Sequence, residues 1–330
     1  DRMLLSVRRR SPLGERARQA LHSARSVKVV WEAEPLGYVK CGRPLLENAA
    51  EMIRLAECRG LSAGEVGLAY EAELLGLLPT AVVEAILRRY QVMSAAVRRG
   101  LEAELPPMQL LRPSAGRVFR AEAEGRLAVG GMHTRAAARA MAAMHVNCGM
   151  GVVCAAPTAG SSGVLPAVLV TLHQERRLDE DAIARALLAA GIVGVIVAQQ
   201  ATFAAEVAGC QVEIGAAGAM AAAAVVEVAG GTARQAADAA AVCFQNTMGS
   251  VCDLVQAVVE IPCHTRNALA AASAFVVADL VLGGYENPIP LDETIAAVHA
   301  VGKMLPAELR VTALGGLAAT PSAKAMKRLR

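Results

Sequence analysis

The chain has 330 residues, of which 55% are hydrophobic but only 3% aromatic. The apolar content is therefore mainly Ala, Val and Leu, enough to bury a sizeable core of closely approaching helices and too much for wholesale disorder. The formal net charge is +3, yet residues 1–25 and 324–330 carry +5 and +4 of it, leaving the middle at −6; such an acidic body lacks the basic stripe that a phosphate backbone requires and argues against nucleic-acid binding.

In chain order, residues 1–45 stand apart, with an Arg cluster at Arg8, Arg9 and Arg10, a β-like run over 27–31, and Pro35 and Gly37 after it. They are expected to be a tail, a linker or the remnant of an additional domain, with a helical catalytic domain over 46–330. No apolar leader with a small-residue cleavage site follows the Arg cluster, so no secretory signal is expected. From Glu47 the pattern is helical: Ser62-Ala63-Gly64-Glu65 is a capping box, and a further helix is expected from Thr80, behind Pro79. The Pro- and Gly-rich segment 105–131 reads as a loop separating a small N-terminal helical layer from the main core.

Beyond Thr134 long Ala-rich stretches alternate with short polar loops and lack the period-2 pattern of half-exposed strands, so the fold is expected to be all-α. Thr232 and Gln235 cap one helix after the Gly230-Gly231 stop, and Asp292 is expected to cap another after Pro290. The Val-rich run 191–197 is compatible with helix or buried strand. No membrane span is expected: the run 187–198 is too short, and Glu213, Glu227 and Asp279 interrupt the other apolar stretches. The expectation is a soluble cytoplasmic protein whose eight cysteines serve as thiols.

Three of those cysteines lie beside turn signals or polar residues: Gly209-Cys210-Gln211, Val251-Cys252-Asp253 and Pro262-Cys263-His264. A cysteine in an Ala-rich chain is more often a small buried hydrophobe, and Cys41, Cys58 and Cys243 fit that description. The spacings match no zinc ribbon, whereas an iron–sulfur cluster accepts widely spaced thiolates, and three of them would leave one iron open as a Lewis acid. A second loop, Ala155 to Gly163, places Thr158, Ser161, Ser162 and Gly163 ahead of an apolar helix, either as a carboxylate pocket or as an ordinary N-cap. It lacks the Lys of a phosphate-binding loop. In His264-Thr265-Arg266-Asn267, Arg266 can fork onto a carboxylate or serve structure, Asn267 can cap a helix, and His264 is a candidate base that more often would orient or pack.

Taken together, these motifs resemble the α subunit of the bacterial iron–sulfur-dependent L-serine dehydratases. The likeness runs from about Glu47 to Lys324 and rests on Ala-Ala-Pro-Thr-Ala-Gly-Ser at 155–161, Gly-Cys-Gln at 209–211, Val-Cys-Asp at 251–253, Pro-Cys at 262–263, Arg-Asn at 266–267 and Leu-Gly-Gly-Leu-Ala-Ala-Thr-Pro at 314–321. It implies an all-α catalytic domain, a 4Fe-4S cluster on Cys210, Cys252 and Cys263, and conversion of L-serine to pyruvate and ammonia without pyridoxal phosphate. It also implies a β subunit or fused β domain, which would make residues 1–45 a linker or β-domain fragment; Thr158, Ser161, Ser162, Gly163, Arg266, Asn267 and Asn147 are the expected substrate contacts, and an oligomer is expected. The chain departs from the family's usual residues at Asn147-Cys148-Gly149-Met150-Gly151 and at Phe203-Ala204, which leaves room for a related hydroxy- or thio-amino acid, as in a cysteine desulfidase, or for a non-catalytic subunit of the same fold. Cys148 and Cys154 are further thiols near these loops.

Overall fold

A computed structural model describes residues 13–28, 30 and 40–329. The chain divides into two compact units, 1–41 and 42–330. In the first, the described structure is one helix, α1 (Glu15–Ser23), without a buried residue. Arg8, Arg9, Arg10, Val29, Trp31, Pro35 and Gly37 lie outside the described residues; Val27, Lys28 and Val30 of the expected β-like run are described and are not in a strand. Residues 42–46 belong to the second unit, four residues earlier than the composition change suggests: the Gly42 amide donates to the Leu74 carbonyl at 3.0 Å and Leu46 is buried.

The second unit is all-α, with no strand among its described residues and one isolated bridge between Cys252 and Arg310. Its helices are α2 (Ala49–Arg59), α3 (Ala63–Leu75), α4 (Pro79–Gly100), α5 (Ala115–Ala123), α6 (Met132–Cys148), α7 (Val164–Arg176), α8 (Glu180–Gln200), α9 (Ala205–Ala208), α10 (Ile214–Val228), α11 (Ala233–Thr247), α12 (Cys263–Leu282), α13 (Leu291–Met304) and α14 (Pro321–Ala325). The local signals work as expected at several starts. Ser62 and Glu65 cap α3 reciprocally, Thr232 and Gln235 do the same for α11, and Pro79 opens α4, where its missing N–H costs nothing.

Helix α10 is the axis of the core. Every residue from 214 to 226 is buried, and α7, α8, α11 and α12 pack around it. A helix apolar on all sides needs partners on all sides, and here other helices supply them. The stretch 210–228, α8 and α12 are each long and apolar enough to cross a membrane, contrary to the expectation from the sequence. That expectation began the α8 run after Arg185 and counted Glu213, Glu227 and Asp279 as interruptions of the other stretches, although Arg185 lies in the second turn of a helix that starts at Glu180. Within the fold, 83% of the 210–228 window and 67% of that in α8 are buried by neighbouring helices.

One open alternative is resolved and two other expectations change. The run 191–197 is helical throughout, because it continues an uninterrupted helix capped by Asp179. The segment 105–131 is not only loop, since the run between Pro113 and Gly125 has no proline and winds into α5. Nor is there a separate N-terminal layer: α3 packs on α8, α4 packs on α6, and all share one continuous apolar core.

Asp292 does not cap its own helix, which starts behind Pro290 without a side-chain cap. It reaches α2, accepting from the Ala49 and Ala50 amides at 2.8 and 3.0 Å and from Gln200 Nε2 at 2.8 Å. A carboxylate is favoured there by the unpaired amides and the positive end of the α2 dipole.

Small residues allow these crossings. A Cβ on Gly100 would lie 2.0 Å from the Ala142 carbonyl oxygen of α6, so α4 and α6 touch through backbone. Gly100→Ala is therefore expected to destabilise the fold by about 1–3 kcal/mol through overpacking, seen as a lower thermal midpoint by circular dichroism. An unchanged midpoint would contradict so close a crossing.

Candidate functional site

Three polar segments meet near the start of α12. The first begins at Gly209, whose φ of +74° turns the chain from α9 into a single 3-10 turn, Cys210–Val212. A side chain at 209 would also strike the Ser250 carbonyl oxygen at 2.8 Å, which leaves glycine as the residue that fits. The second segment is the extended stretch around Cys252. The Cys210 amide donates to the Ser250 carbonyl at 2.9 Å, and the Gln211 side-chain oxygen accepts from the Gly249 amide at 2.9 Å, so the two segments are stitched together. The Cys252 amide in turn donates to the Leu309 carbonyl at 2.8 Å, and the Val311 amide returns a bond to the Cys252 carbonyl at 2.9 Å. The third segment is the first turn of α12, which Cys263 opens behind Pro262.

Cys210, Cys252 and Cys263 are all buried and share one pocket. Cys252 lies against Cys210 as a hydrogen-bond partner, which favours the Cys210 thiolate and, with the positive charge of Arg266, lowers its pKa against the penalty of burial. The same contact, burial and the other thiolates hold the Cys252 thiol far above its usual range. Burial pushes the Cys263 thiol up to about 12, helped by the charge on Cys210. A buried trio of thiols can ionise together only if positive charge joins them, and Arg266 alone does not suffice for three.

The donor set is soft and sulfur-only and would be anionic once a cationic centre joins it, which suits an iron–sulfur centre. Among the described residues no three His, Cys, Asp or Glu side chains are arranged to hold a single metal ion. By contrast Cys243 is an inert core thiol, raised to about 12 by burial, while Cys41 and Cys58 are exposed and not the buried hydrophobes expected of them. Cys148 sits close enough to Cys263 to raise it further, and its Sγ is 2.9 Å from the Val259 carbonyl oxygen.

Arg266 is built into this pocket. Nη1 donates to the Val251 carbonyl at 2.7 Å and Nη2 to Asp253 Oδ1 at 3.0 Å, so its fork grips both neighbours of Cys252. Asp253 is buried and its other oxygen accepts from the Leu317 amide at 2.7 Å, tying in the Leu314 to Pro321 motif. The sequence quoted Asp253 as a neighbour of Cys252 but gave it no task. The guanidinium is thus committed to loop and sulfur in this structure.

The hydroxyl-rich loop lies alongside. Thr158 caps a 3-10 turn, Ala159–Ser161, and α7 follows without a side-chain cap of its own. Asn267 accepts from the Gly163 amide at 3.0 Å and donates to the Gly160 and Cys263 carbonyls, both at 2.9 Å, thereby fastening this loop to the first turn of α12. Asn147 donates to the Ala159 carbonyl at 2.8 Å. Ser162 is fully buried with Oγ 3.6 Å from Met144 Sδ, whereas Ser161 and Thr158 bond to each other at 3.1 Å. Thr158, Ser161, Ser162, Gly163, Asn267 and Asn147 are thus brought together around one loop, and most of their polar groups are engaged in holding it.

His264 shares the first turn with Cys263 but faces elsewhere. It is buried near His145 and Glu260, and neither ring nitrogen makes a hydrogen bond of ordinary geometry. Burial lowers its pKa to about 4, so it is neutral at physiological pH. The preceding Glu260 is equally buried and accepts the Gln109, Leu110 and Leu111 amides at 2.8, 2.8 and 2.9 Å, pinning the proline-rich segment beneath the site. One carboxylate that the sequence left without a role stands between the thiols and the loop: Glu213, just after the Cys210 turn, accepts from Thr158 Oγ1 at 2.7 Å. Burial raises its pKa.

Residues 44–318 match the family described as "Serine dehydratase alpha chain". A relative from Bacillus subtilis (strain 168), a "Probable L-serine dehydratase, alpha chain", is 36% identical over 86% of this chain and 95% of its own length. One of the same description from Latilactobacillus sakei is 47% identical over 57% of this chain and 90% of its own. The "L-serine dehydratase, alpha chain" of Peptoniphilus asaccharolyticus is 35% identical over 86% and 98% respectively. With its thiols, its hydroxyl loop and the body that carries them all inside the matched span, the chain belongs to the serine dehydratase alpha chain family, a family of carbon–oxygen lyases.

Proposed function

We propose that this chain is the catalytic component of a cytoplasmic L-serine dehydratase, which removes water from L-serine and yields pyruvate and ammonia with the help of a 4Fe-4S cluster on Cys210, Cys252 and Cys263. The observation that carries the reading is the convergence of three buried thiols, drawn from separate segments, beside one guanidinium. When bound, a cluster with three protein thiolates supplies an open iron, a Lewis acid for a hydroxyl that otherwise leaves poorly. The chain's own residues do the rest. Arg266 fixes the Cys252 segment and lends charge to Cys210, while Asn267 and Asn147 hold the 158–163 loop in register beside the thiols. With a Lewis acid to assist the leaving hydroxyl, the reading needs no pyridoxal phosphate, and release of the enamine, its tautomerisation and its hydrolysis complete the reaction.

The relatives' naming as alpha chains supports a β partner for this chain too, and pull-down with a β chain from the same source tests it. The main test is anaerobic: the reconstituted chain, with any partner it purifies with, is given serine, threonine and cysteine in parallel. Pyruvate from serine supports the reading. Turnover of cysteine alone points to a desulfidase, and a folded, iron-free, inactive protein to a non-catalytic subunit.

Arg266→Lys is expected to lower iron retention together with activity, because a point charge cannot bridge Val251 and Asp253 as the fork does. Iron assay of the purified variant checks this. Full iron with a raised KM would instead assign Arg266 to the substrate carboxylate.

A further inference from the structure

Amino acids enter a site as zwitterions, so a pocket that holds a hydroxyl and a carboxylate leaves the ammonium to be matched. Unpaired, that charge would pay a desolvation penalty of several kcal/mol. The carboxylates around the site differ in what they already do. Asp253 is paired with Arg266 and accepts the Leu317 amide, and Glu260 is filled by three backbone amides. Glu213 is different. Its partner is one hydroxyl, Thr158 Oγ1 at 2.7 Å, and among the described residues it joins no ion pair with a Lys, Arg or His.

Its position is fixed from two sides. Three residues earlier the chain is Cys210, and across the gap lies Gly160, where a Cβ would meet the two carboxylate oxygens at 3.1 and 3.3 Å. Gly160 is itself held by Asn267, one turn after Cys263. Glu213 therefore stands where the thiol pocket adjoins the hydroxyl loop, half-buried, with exposed Glu206 adding negative charge nearby.

We propose that Glu213 is the anchor for the substrate's α-ammonium group and so selects amino acids over simple hydroxy acids, an inference that rests on the lyase reading above. A carboxylate with a hydroxyl on one oxygen keeps a free lone-pair set for a cation, and burial strengthens such a charge-assisted bond.

Equilibrium binding of L-serine and of 3-hydroxypropanoate, which is serine without its amino group, to the anaerobically reconstituted full chain tests this. Glu213→Gln keeps the shape and the bond from Thr158, so iron content should stay at the wild-type value. Serine affinity should fall by about 10- to 100-fold, the worth of a hydrogen bond to a charged group. Affinity for 3-hydroxypropanoate should hardly change, and Glu213→Asp should restore part of the serine affinity alone. Equal weakening of both acids, or undiminished serine affinity, would overturn the proposal. If Glu213→Gln loses iron, Glu213→Asp decides by the same comparison. Pyruvate formation by the wild type separates the two claims: turnover with unaltered serine binding in the variant rejects Glu213 and leaves the lyase, whereas Glu213-dependent binding without turnover rejects the lyase and leaves the anchor.

Discussion

Cys210→Ala, Cys252→Ala and Cys263→Ala are each expected to reduce bound iron from about four atoms per chain to near zero. Cys58→Ala should leave it unchanged. Each of the three thiols is buried in the same pocket, whereas Cys58 is exposed on α2. Removing one leaves two thiolates for a cube that needs more. The folds of the variants should survive, because alanine at a buried cysteine loses only a small apolar volume. Iron assay after anaerobic reconstitution and desalting reads the result, and circular dichroism checks that the variants are folded. Iron held equally by all four variants would remove these cysteines from the ligand set.

Asp253→Ala carries the second large effect, and it falls on stability as well as iron. The carboxylate is 2% exposed, pairs with Arg266 at 3.0 Å and accepts the Leu317 amide at 2.7 Å. Without it, the guanidinium, whose side chain is 24% exposed, loses its carboxylate partner, and the Leu317 amide loses its acceptor. Breaking a buried pair from one side costs about 3 kcal/mol or more, because the charge left behind is uncompensated. Urea denaturation should show the loss directly. Adding Arg266→Ala should recover part of it, since the pair is then removed as a unit. Simple additivity of the two losses would show that the pair does not hold the Cys252 segment. Iron retention should fall in Asp253→Ala even where the protein remains folded, as the Cys252 segment then loses its carboxylate ties to Arg266 and Leu317 and keeps the Arg266 bond to the Val251 carbonyl and the pairing with Leu309.

Much of this fold is written in short-range signals. Ser62 with Glu65, Thr232 with Gln235 and Pro79 mark helix starts through chemistry confined to one turn, and an uninterrupted Ala, Val and Leu content leaves helix as the consistent state. Asp292 shows where such reading ends. Its sequence position is that of a cap, but its partners, Ala49 and Ala50, are more than two hundred residues away. The helical length of α8 was likewise hidden, because a charge such as Arg185 near the start of a helix looks like a boundary in sequence and is harmless in space.

The site divides in the same way. The three cysteines stood out by their turn-rich surroundings, and the structure brings them together. The roles of the polar residues did not follow as easily, since a side chain such as Arg266 or Asn267 can face a ligand or its own backbone, and only the fold decides. Asp253 and Glu213 carried no signal beyond lying beside or near a cysteine. Their importance comes from burial and from partners, Leu317 and Thr158, contributed by other segments.

The most direct test is to count iron and acid-labile sulfide in the chain after anaerobic reconstitution and desalting. About four of each per chain is expected, as three thiolates around a 4Fe-4S centre require. A well-folded chain that retains fewer than about one iron under those conditions would contradict the assignment of this pocket.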